Sequence, residues 1–137
     1  MGIKDEYERA RTYIRDEFSI KKATGQLFVF ETTIRFVGGL LILFGLTGEQ
    51  FYKTKAQGIA NALLPAFETP SGIAKSLVNP VTKTSINYNW AQSGSSILAE
   101  FGDSFYEYLI KSYLLTNKTD SQAIRMHKEA SDAIQKQ

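Results

Sequence analysis

The 137-residue chain reads as all-α, built from α/α hairpin repeats. Three observations predict this fold class. Every long segment carries apolar residues at helical spacing. An apolar helix, a short polar turn and an amphipathic helix follow one another twice. All three prolines fall in the stretch between the two occurrences.

The elements follow in order within a single domain, residues 1–137. Tyr7, Ala10, Ile14 and Phe18 form a stripe with Lys, Asp, Glu and Arg around it, which predicts a helix over about 5–18. Residues 18–24 connect it to a second helix over 29–46, apolar nearly all round and so expected to be buried on most sides. Thr47-Gly48 stops that helix. The segment 50–64 is amphipathic, with Phe51, Ala56, Ile59, Ala60 and Leu63 on one side. Pro65 and Pro70-Ser71-Gly72 end it and open a long loop over 65–93. Ser95 or Ser96 is placed to cap a helix over 95–115. Residues 116–120 turn, and a last amphipathic helix covers 121–136.

The two halves correspond. At an offset of 69 residues Glu31 falls on Glu100, Leu40 on Leu109, Leu46 on Leu115 and Thr47 on Thr116. Inner helices that touch neighbours on several sides are apolar throughout, and outer helices that face water on one side are amphipathic. Stacked pairs of this kind build either a solenoid or a closed α/α barrel. Gly38-Gly39 lies inside the apolar helix without phosphate-loop spacing, and close helix packing accounts for it.

Composition narrows the function. Hydrophobic content of 43% with 22% charged residues is that of a globular domain. A net charge of +2, with no basic run, gives no reason to expect a nucleic-acid partner. No cysteine is present, which excludes a zinc-thiolate site, and one histidine, His127, argues against a multi-histidine metal site or a Ser-His-Asp triad. His127 is expected to be exposed on the last helix. The longest apolar run, 36–46, is short of the about 20 residues that cross a bilayer. The charged N-terminus has no signal-peptide pattern, so no transmembrane or targeting segment is expected in this chain. Asn117-Lys118-Thr119 is a glycosylation sequon, a triplet that also arises often by chance.

Two places set carboxylates among large apolar side chains. Glu31 stands among Phe28, Val29, Phe30, Ile34 and Phe36, with Arg35 four residues on. It reads either as a first-turn glutamate paired with Arg35 or as a general acid in an apolar pocket. Arg35 either neutralises Glu31 or presents its planar fork to sugar hydroxyls, and one guanidinium can do both. Glu100, Asp103 and Glu107 share one helical face at i, i+3 and i+7, interleaved with Phe101, Phe105, Tyr106 and Tyr108. They read either as a solvated face or as a sugar site, where carboxylates cleave and aromatics stack. Trp90 either stacks on a sugar ring or anchors the long loop.

The stretch 30–41, Phe-Glu-Thr-Thr-Ile-Arg-Phe-Val-Gly-Gly-Leu-Leu, resembles the signature of class I α-1,2-mannosidases, glycoside hydrolase family 47. Residues 63–73, 94–102 and 102–109 are similar to further blocks of that family, in the same order. The likeness runs from about Tyr7 to the last helix, and the Golgi-type enzymes that trim high-mannose N-glycans fit best.

The resemblance implies an inverting hydrolase on a sevenfold α/α barrel, of which this chain is a part, an (α/α)7 barrel left incomplete. It implies an essential calcium ion and a high-mannose N-glycan substrate. It also implies residence in the Golgi or endoplasmic reticulum lumen, within a parent anchored as a type II membrane protein. By the same resemblance Glu31 matches a catalytic acid and Asp103 an aspartate acting through a water. Arg35 and Glu100 match residues that hold the terminal mannose, and Glu107 a residue supporting the site. Inverting carboxylates stand about 6.5–9.5 Å apart to admit a water.

The chain departs from the family pattern, at Ala74, where relatives usually have a proline after the isoleucine, and more deeply elsewhere. Only Phe101 and Gly102 lie between Glu100 and Asp103, where the family has a whole helical hairpin. The hairpins that carry the family's base glutamate, calcium-binding threonine and disulfide cysteines have no counterpart in these 137 residues, so no metal ligand is assigned here. The expectation is a mannosidase lineage whose chain is inactive alone. The alternative is a non-catalytic glycan-binding or scaffold protein.

Overall fold

The computed structural model describes residues 2–70, 74–87 and 103–135. The first helix, α1 (Ile3–Thr12), has Asp5 and Glu6 in its first turn and Arg9 and Arg11 in its last, which complements the helix dipole. It runs on as a π-helical turn, Tyr13–Glu17, and a 3-10 turn follows at Ile20–Lys22.

The central element is one continuous helix, Val29–Thr47. It consists of α2 (Val29–Thr32), a π-helical segment (Thr33–Gly38) and α3 (Gly39–Thr47). Gly48 ends it at φ 72°, the left-handed conformation glycine adopts without cost, and its N–H donates to the Phe44 carbonyl at 2.8 Å. By length and composition this helix meets the requirement for crossing a membrane, because it begins well before the apolar run at 36–46. In this fold it is the inner helix of both hydrophobic clusters.

Helix α4 (Gln50–Leu63) returns antiparallel and ends where Pro65 enters a 3-10 turn, Leu64–Phe67. In the second hairpin α5 (Asp103–Leu115) is the inner helix and α6 (Ser121–Gln135) the outer one. Its turn holds Asn117 and Lys118 at φ 54° and 63°. Asp120 caps α6: its carboxylate accepts from the Ala123 N–H at 3.0 Å and from Ser112 Oγ at 2.9 Å.

The stretch expected as loop is partly ordered into strands. β1 (Leu27–Phe28), β2 (Leu77–Val78) and β3 (Ser85–Ile86) form an antiparallel sheet in the order β1-β2-β3. Leu27 pairs with Val78 and Leu77 with Ile86. The β2–β3 turn is closed by Asn79, whose Oδ1 accepts from the N–H groups of Val81 (2.9 Å) and Thr82 (3.1 Å). The Val29 N–H donates to the Ser76 carbonyl at 3.0 Å, so the sheet holds the N-terminal end of the inner helix.

Among the described residues two clusters form the core. Val29, Leu63, Ala66, Val78, Tyr106 and Ala130 join the sheet to both hairpins. Val37, Leu40, Leu41, Tyr52, Ala56 and Ile59 fill the first hairpin. The inner helices run parallel: Gly38 faces Tyr108, and seven residues later on both, Gly45 faces Leu115 at 3.6 Å from an added Cβ. Gly38 lets the Tyr108 ring come close, since a Cβ there would stand 3.0 Å from Tyr108 Cε1 and nearer still to its Cζ and phenol oxygen. Gly39 faces open space.

His127 is half-buried, unlike the exposed position expected of it. Its Nδ1 lies 3.2 Å from the Tyr106 carbonyl and ties α6 to α5. The end of a helix carries unpaired carbonyls only in its last turn, so this contact had no signal in the sequence.

Candidate functional site

Glu31 sits in the first turn of the inner helix, just after the strand that pins it. Arg35 lies one turn on, within the π-helical segment, and its Nε donates to Glu31 Oε2. This hydrogen bond, then the charge of the carboxylate, raises the arginine pKa above its ordinary value. The pair is open to water: 43% of the Glu31 side chain and 69% of Arg35 are exposed. Phe28 and Phe36 are about half exposed, so the apolar enclosure expected around Glu31 is partial. Val29 and Thr33 are buried, and Thr33 Oγ1 donates to the Val29 carbonyl at 2.7 Å, which fixes the turn that carries Glu31.

Sequence reasoning missed the π-helical widening at Thr33–Gly38. Such turns occur often at functional sites, and nothing in residue spacing announces them. Thr32 and Phe36, each next in sequence to one member of the pair, line a groove of 290 Å³ with Tyr13, Phe18, Ile20 and Leu27. This volume is close to the lower end for small-molecule sites.

Glu107 is exposed on α5 and pairs with Lys111 at 2.6 Å. That hydrogen bond raises the Lys111 pKa. Its neighbour Tyr106 faces the core, where burial pushes its phenol up and the Ala74 N–H donates to the oxygen at 3.4 Å. Lys111 lies 5.0 Å from the Tyr108 ring centroid.

Asp103 is the first residue of α5, and its side chain lies outside the described residues, as do Glu100 and Trp90. The described residues therefore bring Glu31 and Arg35 together and set Glu107 apart from them on a second helix. Among the described residues no group of three His, Asp or Glu side chains stands close enough to hold a metal ion.

Comparison with known proteins gives a family match along the chain. The profile described as Glycosyl hydrolase family 47 matches residues 1–102 and again residues 80–137. The chain is 41% identical over 197 residues to mannosyl-oligosaccharide 1,2-alpha-mannosidase mans-2 of Caenorhabditis elegans, covering 99% of this chain and 33% of that protein. It is 43% identical over 136 residues to mannosyl-oligosaccharide alpha-1,2-mannosidase IA of Drosophila melanogaster, covering 99% of this chain and 20% of that protein. To mannosyl-oligosaccharide 1,2-alpha-mannosidase IB of Homo sapiens it is 33% identical over 199 residues, with 99% and 31% covered. The chain thus spans about a fifth to a third of the relatives it matches. The alignment to the nematode protein is longer than the chain itself, so that protein carries internal sequence this chain lacks.

Proposed function

The chain belongs to glycosyl hydrolase family 47, and from that membership we propose that it is part of an enzyme removing terminal α-1,2-linked mannose from high-mannose N-glycans with inversion. The observation that carries this reading is the likeness of nearly the whole chain to proteins named for that activity. The two helical hairpins with their leading helix α1 are then part of an (α/α)7 barrel. The Golgi or endoplasmic reticulum lumen is the compartment where such substrates occur.

Each residue takes a role suited to its chemistry. Glu31 donates a proton to the departing glycosidic oxygen, directly or through a water. Arg35, exposed and paired by its side chain with Glu31 among the described residues, turns its fork from Glu31 to the sugar hydroxyls as the acid works. Glu100 holds the same mannose and Asp103 assists through a water. Glu107, held by Lys111, supports the helix that begins at Asp103.

Calcium takes 6–8 oxygen ligands. The described residues do not supply such a shell: Glu31 and Glu107 are each closed by a cation on their own helix.

This chain alone is expected to be inactive, because the base and the calcium ligands of the family have no counterpart in it. The check is incubation of the purified 137-residue chain with an end-labelled high-mannose oligosaccharide, with and without calcium. No mannose should appear. Calcium-dependent release would overturn the expectation.

A further inference from the structure

The turn between α5 and α6 is the part of the surface that the glycosidase reading leaves unused. It contains Asn117-Lys118-Thr119, and no other Asn-X-Ser/Thr triplet occurs in the sequence. We propose that Asn117 is an acceptor for N-linked glycosylation, presented by the inner-to-outer turn of the second hairpin. This rests on the proposed residence in the secretory pathway.

The geometry suits an acceptor. Asn117, Lys118 and Thr119 are all exposed. Asn117 and Lys118 are both left-handed, which throws this stretch outward as a tight tip. The backbone groups of the tip are already satisfied inward. Asn117 N–H donates to the Leu114 carbonyl at 3.1 Å, Lys118 N–H to Tyr113 at 2.8 Å, and Thr119 N–H to Thr116 at 3.3 Å. Thr119 Oγ1 donates to the Thr116 carbonyl at 2.6 Å, a local bond within the turn. The Asn117 carboxamide makes no hydrogen bond to the described residues, so a sugar added there displaces nothing from the core.

The position is also compatible with the site. The inner helices run parallel, so Asn117 stands at the end where Gly45 meets Leu115. Glu31 is at the other end of the first inner helix, about 25 Å along its axis. A glycan at Asn117 stands clear of Glu31 and Arg35. It lies next to Leu114 and Leu115, both exposed, and places polar sugar over apolar surface.

In the transfer the Asn117 amide nitrogen bonds to the anomeric carbon of an oligosaccharide carried on a polyprenyl pyrophosphate. The bond from that carbon to the pyrophosphate oxygen breaks and the lipid pyrophosphate leaves. One amide proton passes to a base of the transferase.

The test expresses the chain in eukaryotic cells behind a cleavable secretory signal and a tag carrying one reporter sequon. Gel mobility is read with and without peptide N-glycosidase. Two glycans are expected on the wild-type chain, one on Asn117→Gln and one on Thr119→Ala. Thr119→Ser keeps both the sequon and the hydroxyl and should restore two. A wild-type chain with the reporter glycan alone overturns the proposal. Because the signal forces entry into the lumen, this result is independent of where the native protein resides. Failure of the secretory reading would show instead as native protein found outside the secretory compartments on cell fractionation.

Discussion

Gly38 and Gly39 are adjacent in sequence and opposite in consequence. Both are helical, so an alanine at either gains about 0.5–1 kcal/mol of helix stability. Only at Gly38 must the new methyl displace the Tyr108 ring, and overpacking of this kind costs about 1–3 kcal/mol. Gly38→Ala should therefore be less stable than Gly39→Ala by about 1–3 kcal/mol in urea denaturation. The difference should vanish in a Tyr108→Ala background. A second prediction concerns Tyr52, whose phenol burial, aided by the Tyr7 hydroxyl at 3.5 Å, pushes up to about 12 from 10.0. The folded protein holds this proton after the unfolded chain has lost it, so stability should fall as pH rises from 10 to 12. Tyr52→Phe should flatten that slope in denaturation measured across this range. Close packing at Gly38 was readable from its place in an apolar helix. The half-burial of His127 was not, because its partner is a backbone carbonyl on another helix.

The helices were readable because their stripes repeat over three or more turns. The strands were not: two residues are too few to alternate, and β1 pairs with a segment about 50 residues away. The π-helical segment at Thr33–Gly38 was likewise invisible, since it changes backbone bonding and leaves residue types unchanged. One consequence of the nearly all-round apolar inner helix is exposure where no neighbour covers it. Ile42 and Leu46 on α3, and Leu114 and Leu115 on α5, are 44–79% exposed. Large apolar side chains left open to water drive association. Sedimentation should show concentration-dependent self-association of the purified chain, reduced in Ile42→Glu/Leu46→Glu. A monomer at all concentrations would mean that these side chains find cover within the chain.

At the scale of the whole molecule, the offset that aligns Glu31 with Glu100 and Leu46 with Leu115 made the two hairpins legible before their packing was known. Their mutual arrangement, parallel inner helices meeting at Gly38–Tyr108 and Gly45–Leu115, needed the structure. The candidate site was legible as a pair of residues and not as an enclosure. Spacing put Arg35 one turn from Glu31, but the groove that Thr32 and Phe36 line takes its other wall from Tyr13, Phe18 and Ile20, which spacing does not connect to it. The proposed function turns on Glu31 as the acid of an α-1,2-mannosidase site. Its most direct test replaces the matching stretch of the nematode relative with residues 1–70 of this chain. The rate of mannose release from an α-1,2-linked oligosaccharide is then measured with and without Glu31→Gln. Inverting release is expected from the parent chimera, with a loss of about 10²–10⁴-fold in the variant. An active chimera whose rate is unchanged by Glu31→Gln would contradict it.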